Sequence, residues 1–149
     1  MQVQWILVAN ASLARLFRRD SPTDPLVPLA TMEHPESRLK GSELADDRPG
    51  DEATDNSSGG NRYQPRGDVR RKEHQRFARE IAERLEAGLA AGEFSALWLF
   101  ASSPFLGEIK AQLSDAVDKR VQLALDSDLT SFGLAEIEQR LCDLLLGKT

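Results

Sequence analysis

Apolar positions fall along this chain in distinct rhythms, and each rhythm marks a different kind of element. Val3, Trp5 and Leu7 interleave with Gln4, Ile6 and Val8, so both faces of the segment are apolar, which predicts a central strand. Asn10-Ala11-Ser12 suits a tight turn, because asparagine tolerates the turn backbone, and Leu13 to Arg19 returns as a second strand. After the turn-rich stretch Ser21-Pro22-Thr23-Asp24-Pro25, Leu26 to Glu33 predicts a third strand. Pro28 has no N–H to give a ladder and places that strand at a sheet edge.

From Pro35 to about Arg71 the rhythm disappears, and Leu39, Leu44, Tyr63 and Val69 are nearly the only large apolar side chains. Asp46, Asp47, Asp51, Glu52 and Asp55 come first, then Ser57-Ser58-Gly59-Gly60, then Arg62, Arg66, Arg70, Arg71 and Lys72. So little apolar surface does not offset roughly 1–2 kcal/mol of backbone entropy per ordered residue. The expectation is a long, mobile, charged loop over residues 35–71.

Phe77, Ile81, Leu85 and Leu89 then recur every fourth residue, one face of a long helix that Gly92 ends. On its wet side Glu80 and Arg84 are spaced to pair. Ala96 to Phe100 is a continuous apolar run, as in a strand covered on both faces. Ser103-Pro104 predicts a cap and a first-turn proline for a helix carrying Leu106, Ile109, Leu113 and Val117. Val121, Leu123 and Leu125 alternate as a fifth strand, and Leu134, Ile137, Leu141 and Leu144 mark a last helix ended by Gly147. The order βββ-loop-αβαβα predicts one α/β domain over residues 1–149, a mixed five-stranded sheet covered by helices.

Composition narrows the function classes. Nineteen basic against 24 acidic side chains leave a net charge of −5, so a general attraction to nucleic acid or anionic membrane is not expected, and such binding needs a local basic patch. Cys142, the single cysteine, forms no intrachain disulfide, which suits a reducing compartment. Beside Leu141 it predicts a packed thiol rather than a nucleophile. No apolar run approaches the roughly 20 residues that span a bilayer, and the opening MQVQWILVAN lacks the features of a signal peptide. A cytoplasmic protein is expected, with its oligomeric state open.

No constellation dictates a reaction. The order of elements fits ribonuclease H-like nucleases, but there the first strand needs an aspartate, and this one carries Gln2 and Gln4 and ends at Asn10. Asp126 and Asp128 read as capping or loop residues. His34 and His74 are too far apart in sequence for a recognised metal pair and read as surface or loop-anchoring residues. No phosphate-cradling glycine motif is present, and neither metal nor cofactor is expected. The cluster Arg62, Arg66, Arg70, Arg71 and Lys72, with Tyr63 for stacking, leaves three readings open: a solvated charge run, a grip on a nucleic-acid backbone, or a protein-binding surface.

Several segments, in order along nearly the whole chain, together resemble the bacterial host-attachment protein family. They are Trp5-Ile6-Leu7-Val8-Ala9-Asn10 with Ala14-Arg15-Leu16-Phe17; His34-Pro35-Glu36-Ser37-Arg38-Leu39; Asp47-Arg48-Pro49-Gly50; Lys72-Glu73-His74 with Phe77-Ala78-Arg79-Glu80; and Ser103-Pro104-Phe105-Leu106-Gly107. The positions Asn10, Arg15, His34, Ser37, Arg38, Asp47, Arg48, Gly50 and His74 are read as anchoring the loop or as meeting a ligand. Pro49-Gly50 and Ser37-Arg38 are read as docking the loop's start against the sheet, with Arg38 pairing Asp46 or Asp47, or else as a ligand or partner site.

The family is in turn similar to the middle domain of the archaeal and eukaryotic class-one peptide release factor. That domain carries Gly-Gly-Gln before a long basic helix, so that the glutamine reaches the peptidyl-tRNA ester. Here Gly59-Gly60-Asn61 precedes the helix with Arg76-Phe77-Ala78-Arg79, and Asn61 is one methylene shorter than glutamine. The resemblance implies a release-factor or ribonuclease H-like topology and action on RNA, tRNA or ribosomes without catalysis. A module that binds protein and affects attachment indirectly is the alternative, and hydrolysis through Asn61 or the His34/His74 region is a third.

Overall fold

The computed structural model describes residues 3–34 and 66–145. Strands β1 (Gln4–Ala9), β2 (Leu13–Arg19) and β3 (Val27–Glu33) form an antiparallel meander. A long helix α1 (Arg66–Ala90) leads to β4 (Ala96–Ala101), helices α2 (Phe105–Gln112) and α3 (Asp115–Asp118), β5 (Val121–Asp126) and helix α4 (Leu134–Leu145). The sheet order is β3-β2-β1-β4-β5, with β4 parallel to both β1 and β5. The predicted mixed five-stranded sheet is the one found, with β3 at an edge.

Alternation along the central strand divides the core in two. Trp5, Leu7 and Ala9 point to one face, where Phe77, Ala78, Ile81 and Leu85 of α1 meet them with Phe105, Ile109 and Val117. Ile6 and Val8 point to the other, where Phe17, Trp98, Phe100 and Leu129 pack against Ile137 and Leu141 of α4. Every residue of β1 and β4 is buried, which is why both read as continuous apolar runs. Each large side chain so enclosed contributes roughly 1.5–3 kcal/mol.

Four local expectations are corrected. Arg66, Arg70 and Arg71, expected in the loop, lie in α1. Arginine, lysine, glutamate and glutamine are strong helix formers, and a helix nucleated on the Phe77 stripe extends through them without an apolar face of its own. Pro104, not Ser103, occupies the N-cap position of α2, after a cis Ser103–Pro104 bond and without a side-chain cap. The single helix expected from Leu106 to Val117 breaks at Leu113 (ψ 140°), and Ser114 starts α3 by accepting the Val117 N–H at 3.2 Å. Cys142 is exposed although Leu141 is fully buried, because adjacent residues on a helix stand about 100° apart.

Arg84 also departs from the expected pairing with Glu80. It lies over the Trp5 ring, 5.0 Å from its centroid, and reaches Glu93 at 3.8 Å. Gly92 turns the chain after α1 with φ 74°, as its position predicts.

Candidate functional site

In open α/β sheets, ligands collect outside the carboxyl ends of the parallel strands. At that end of this sheet the β1–β2 turn, the end of β3, the start of α1 and the segments after β4 and β5 converge.

Asn10 is the hub of the turn. Its Oδ1 accepts the backbone N–H groups of Ser12 and Leu13 at 2.8 and 2.9 Å, closing the hairpin. Its Nδ2 donates to Asp128 Oδ2 at 3.1 Å and to Thr130 Oγ1 at 3.0 Å, tying β1 to the loop between β5 and α4. Burial alone would raise the Asp128 pKa, but hydrogen bonds from the Thr130 hydroxyl, the Thr130 N–H and Asn10 outweigh it and hold the carboxyl below its usual range. Arg15, next along β2, donates to the carbonyls of Thr130 and Phe132 at 3.1 and 2.6 Å. Asp126 accepts the Ser103 N–H at 2.9 Å, which draws β4's exit toward β5.

A second knot fastens β3 to α1. His34 donates its backbone N–H to the Ser12 carbonyl at 2.8 Å, and its Nε2 lies 2.8 Å from Glu73 Oε1. The His34 ring is buried and stacks on Phe77 at 5.2 Å, and Phe77 stacks on Phe105 at 5.7 Å. Arg76 donates to Glu73 Oε2 at 3.1 Å. His74 meets Phe105 edge-on at 6.2 Å. Its pKa is pushed down by burial first and by Arg70 next, against an upward pull from Glu108, with His34 lowering it and Glu73 raising it by less. The His34–Glu73 contact thus ties the end of β3 to the early turns of α1.

Above this knot, α1 carries an exposed basic face. Lys72, Arg76 and Arg79 follow i, i+4, i+7 spacing, so at 3.6 residues per turn they lie within about 60° of one another over about 10 Å. Arg70 and Arg71, immediately before Lys72, are exposed on other faces of the helix. Arg71, Lys72 and Arg79 have no ion pair among the described residues.

The structure therefore brings Asn10 and Arg15 into one network and His34 and His74 into another. The candidates Ser37, Arg38, Asp47, Arg48, Gly50, Asn61, Arg62 and Tyr63 lie outside the described residues, as does most of the expected loop. Sequence reading missed the partners Asp128, Thr130 and Glu73 that give Asn10 and His34 their geometry. Lys72-Glu73-His74 already stood out as a segment, but nothing in it pointed to residue 34. Among the described residues no group of three or more His, Cys, Asp or Glu is placed to hold a metal, and no helix is long and apolar enough to cross a membrane.

Residues 5–141 match the model of the family described as "Protein required for attachment to host cells". Comparison with curated proteins finds no match.

Proposed function

We propose that this chain, which belongs to the family of proteins required for attachment to host cells, acts as a binding protein that grips RNA, in tRNA or ribosomes, through the basic face of α1. The observation that carries this reading is the exposed Lys72-Arg76-Arg79 stripe of α1, at the carboxyl end of the sheet, in which Arg76 also pairs with Glu73. Three cations spread over about 10 Å can meet successive phosphates, and each contact gains by releasing counterions. The stripe stands over a rigid base, because Phe77 and the His34–Glu73 bond fix the same helix turns to the sheet. Arg62, Tyr63 and Arg66 precede it in sequence and would extend the grip. The resemblance of Gly59-Gly60-Asn61 to the release-factor motif points the same way, and we read the order β3-β2-β1-β4-β5 as the ribonuclease H-like arrangement of such domains. The network around Asn10, Asp128 and Thr130 positions loops in this reading rather than performing chemistry.

The test is RNA binding measured across a salt series with total tRNA and with purified ribosomes. Wild-type protein should bind with a log–log salt slope of about −2 to −3, three contacts at about 0.7–0.9 each. The charge reversal Lys72→Glu, Arg76→Glu, Arg79→Glu should abolish binding while leaving circular dichroism unchanged. Binding of that variant equal to wild type would remove the reading. A second reading, a protein-binding module, draws on Val27 and Leu29, which are 50% and 37% exposed on edge strand β3. A protein partner recovered after ribonuclease treatment, together with absent RNA affinity, would select it.

A further inference from the structure

At the amino end of the sheet, opposite the site above, Arg19 is a buried cation whose complement is missing. It ends β2 directly across from Gln4, and its residue is only 4% exposed. Nε donates to Gln4 Oε1 at 2.5 Å, and the guanidinium lies over Trp98, 5.1 Å from the ring centroid. Nη2 is sealed from solvent with no hydrogen-bond partner, and Arg19 enters no ion pair among the described residues. Burial lowers its pKa, which is the electrostatic signature of a charge held without compensation. A guanidinium fork is built to take a planar carboxylate on two parallel bonds.

Beside Arg19 is a depression of about 490 Å³, within the range of small-molecule sites. The β2–β3 loop forms one wall with Pro22, Asp24 and Pro25, and α4 forms the other with Glu138, Cys142 and Leu145. The walls carry two carboxylates. Glu138 spends Oε2 on the Leu26 N–H at 2.8 Å, leaving its other oxygen uncommitted, and Asp24 is exposed at the rim. A simple anion would be drawn by Arg19 and repelled by this pair. A molecule with a carboxylate and an ammonium group side by side satisfies all three, with Pro22, Pro25 and Leu145 as apolar surface for whatever else it carries.

We propose that this depression is a binding site for a free amino acid, its carboxylate on the Arg19 guanidinium and its ammonium between Asp24 and Glu138. Because Nη2 is closed to solvent, a carboxylate reaches it only if the Arg19 side chain or the wall beside it shifts on binding. The loop is braced by the Asp24 N–H to Ser21 carbonyl bond at 3.1 Å and the Ser21–Thr23 hydroxyl pair at 3.2 Å, and is tied to α4 through the Leu26 N–H bond to Glu138.

The Trp98 indole N–H, next to Arg19 and bonded to Gln122 Oε1 at 3.3 Å, is a built-in reporter. Full-length wild-type protein is titrated with an equimolar mixture of the standard amino acids, then with its separate members, while the Trp98 indole resonance is followed by NMR. A saturable shift with at least one amino acid is expected. The corresponding amide, which lacks the carboxylate, and the deaminated acid, which lacks the ammonium, should each bind about tenfold more weakly or worse. Arg19→Gln should abolish the shift. An unmoved Trp98 resonance in wild-type protein at millimolar mixture overturns the proposal whatever the variant does, and so does equal binding of the amide.

Discussion

Replacing Asn10 by alanine removes four hydrogen bonds at once: two that close the β1–β2 turn and two that hold Asp128 and Thr130. Each is worth about 0.5–1.5 kcal/mol net, and the one to Asp128, at the more exposed end, falls low in that range. The sum, about 3 kcal/mol, lowers the thermal midpoint by about 6–12 °C for a chain of this size. Asn10→Asp sharpens the expectation, since it keeps the acceptor facing Ser12 and Leu13 but sets a second carboxylate against Asp128 Oδ2. At neutral pH it should be at least as damaging as alanine, with partial recovery on acidification as one carboxyl of the pair takes up a proton.

The Asp128 carboxyl adds a pH signature to the same experiment. Its folded pKa lies below the ordinary 3.8, so the unfolded chain binds its proton more readily. Its contribution is therefore full above 3.8 and is lost as pH falls through the folded value. Because Asn10 supplies one of the bonds that lower this pKa, the cost of Asn10→Ala should shrink at the acidic end of that window. Urea unfolding at several pH values measures all of this. A loss below about 0.5 kcal/mol for Asn10→Ala, or neutral-pH stability of Asn10→Asp equal to wild type, would refute the hub role.

Two further expectations concern α1. A Cβ at Gly88 would stand 2.3 Å from Trp5 Cη2, and that ring is buried against Phe94 at 4.5 Å. Gly88→Ala should therefore cost about 1–3 kcal/mol despite alanine's better helix propensity, read as a lower urea midpoint. His74 has a folded pKa below its ordinary 6.5, so the neutral ring is favoured, and its share of stability is present above 6.5 and lost as pH falls through the folded value. His74→Gln should flatten the stability profile below 6.5, measured by thermal unfolding across that range.

The elements were legible where packing leaves a period in the sequence. Trp5, Leu7 and Ala9 against Ile6 and Val8, and Phe77-Ile81-Leu85, carry the two-residue and four-residue repeats of a strand between two layers and a helix on a sheet. The boundaries were less so. The first turns of α1 leave no apolar repeat, since Arg70, Arg71 and Lys72 stand exposed, and the break at Leu113 depends on how α2 and α3 meet α1, where Ser114 also bonds Glu86. The exposure of Cys142 was hidden by its neighbour Leu141, since side-by-side residues face different ways on a helix.

What the chain order alone determined is the kind of architecture: which segments are strands, which are helices, and that one edge carries a proline. Such properties follow from local spacing, because burial on one or two faces forces a repeat. Only the tertiary structure decided the pairings that make the sites. Asn10 reaches Asp128 and Thr130 across 118 and 120 positions, and His34 reaches Glu73 across 39. Arg19 Nη2 is left buried without an acceptor, beside a depression that the β2–β3 loop and α4 line together. Contacts between distant positions leave no repeat along the chain, so their chemistry becomes visible only once the sheet has brought them together.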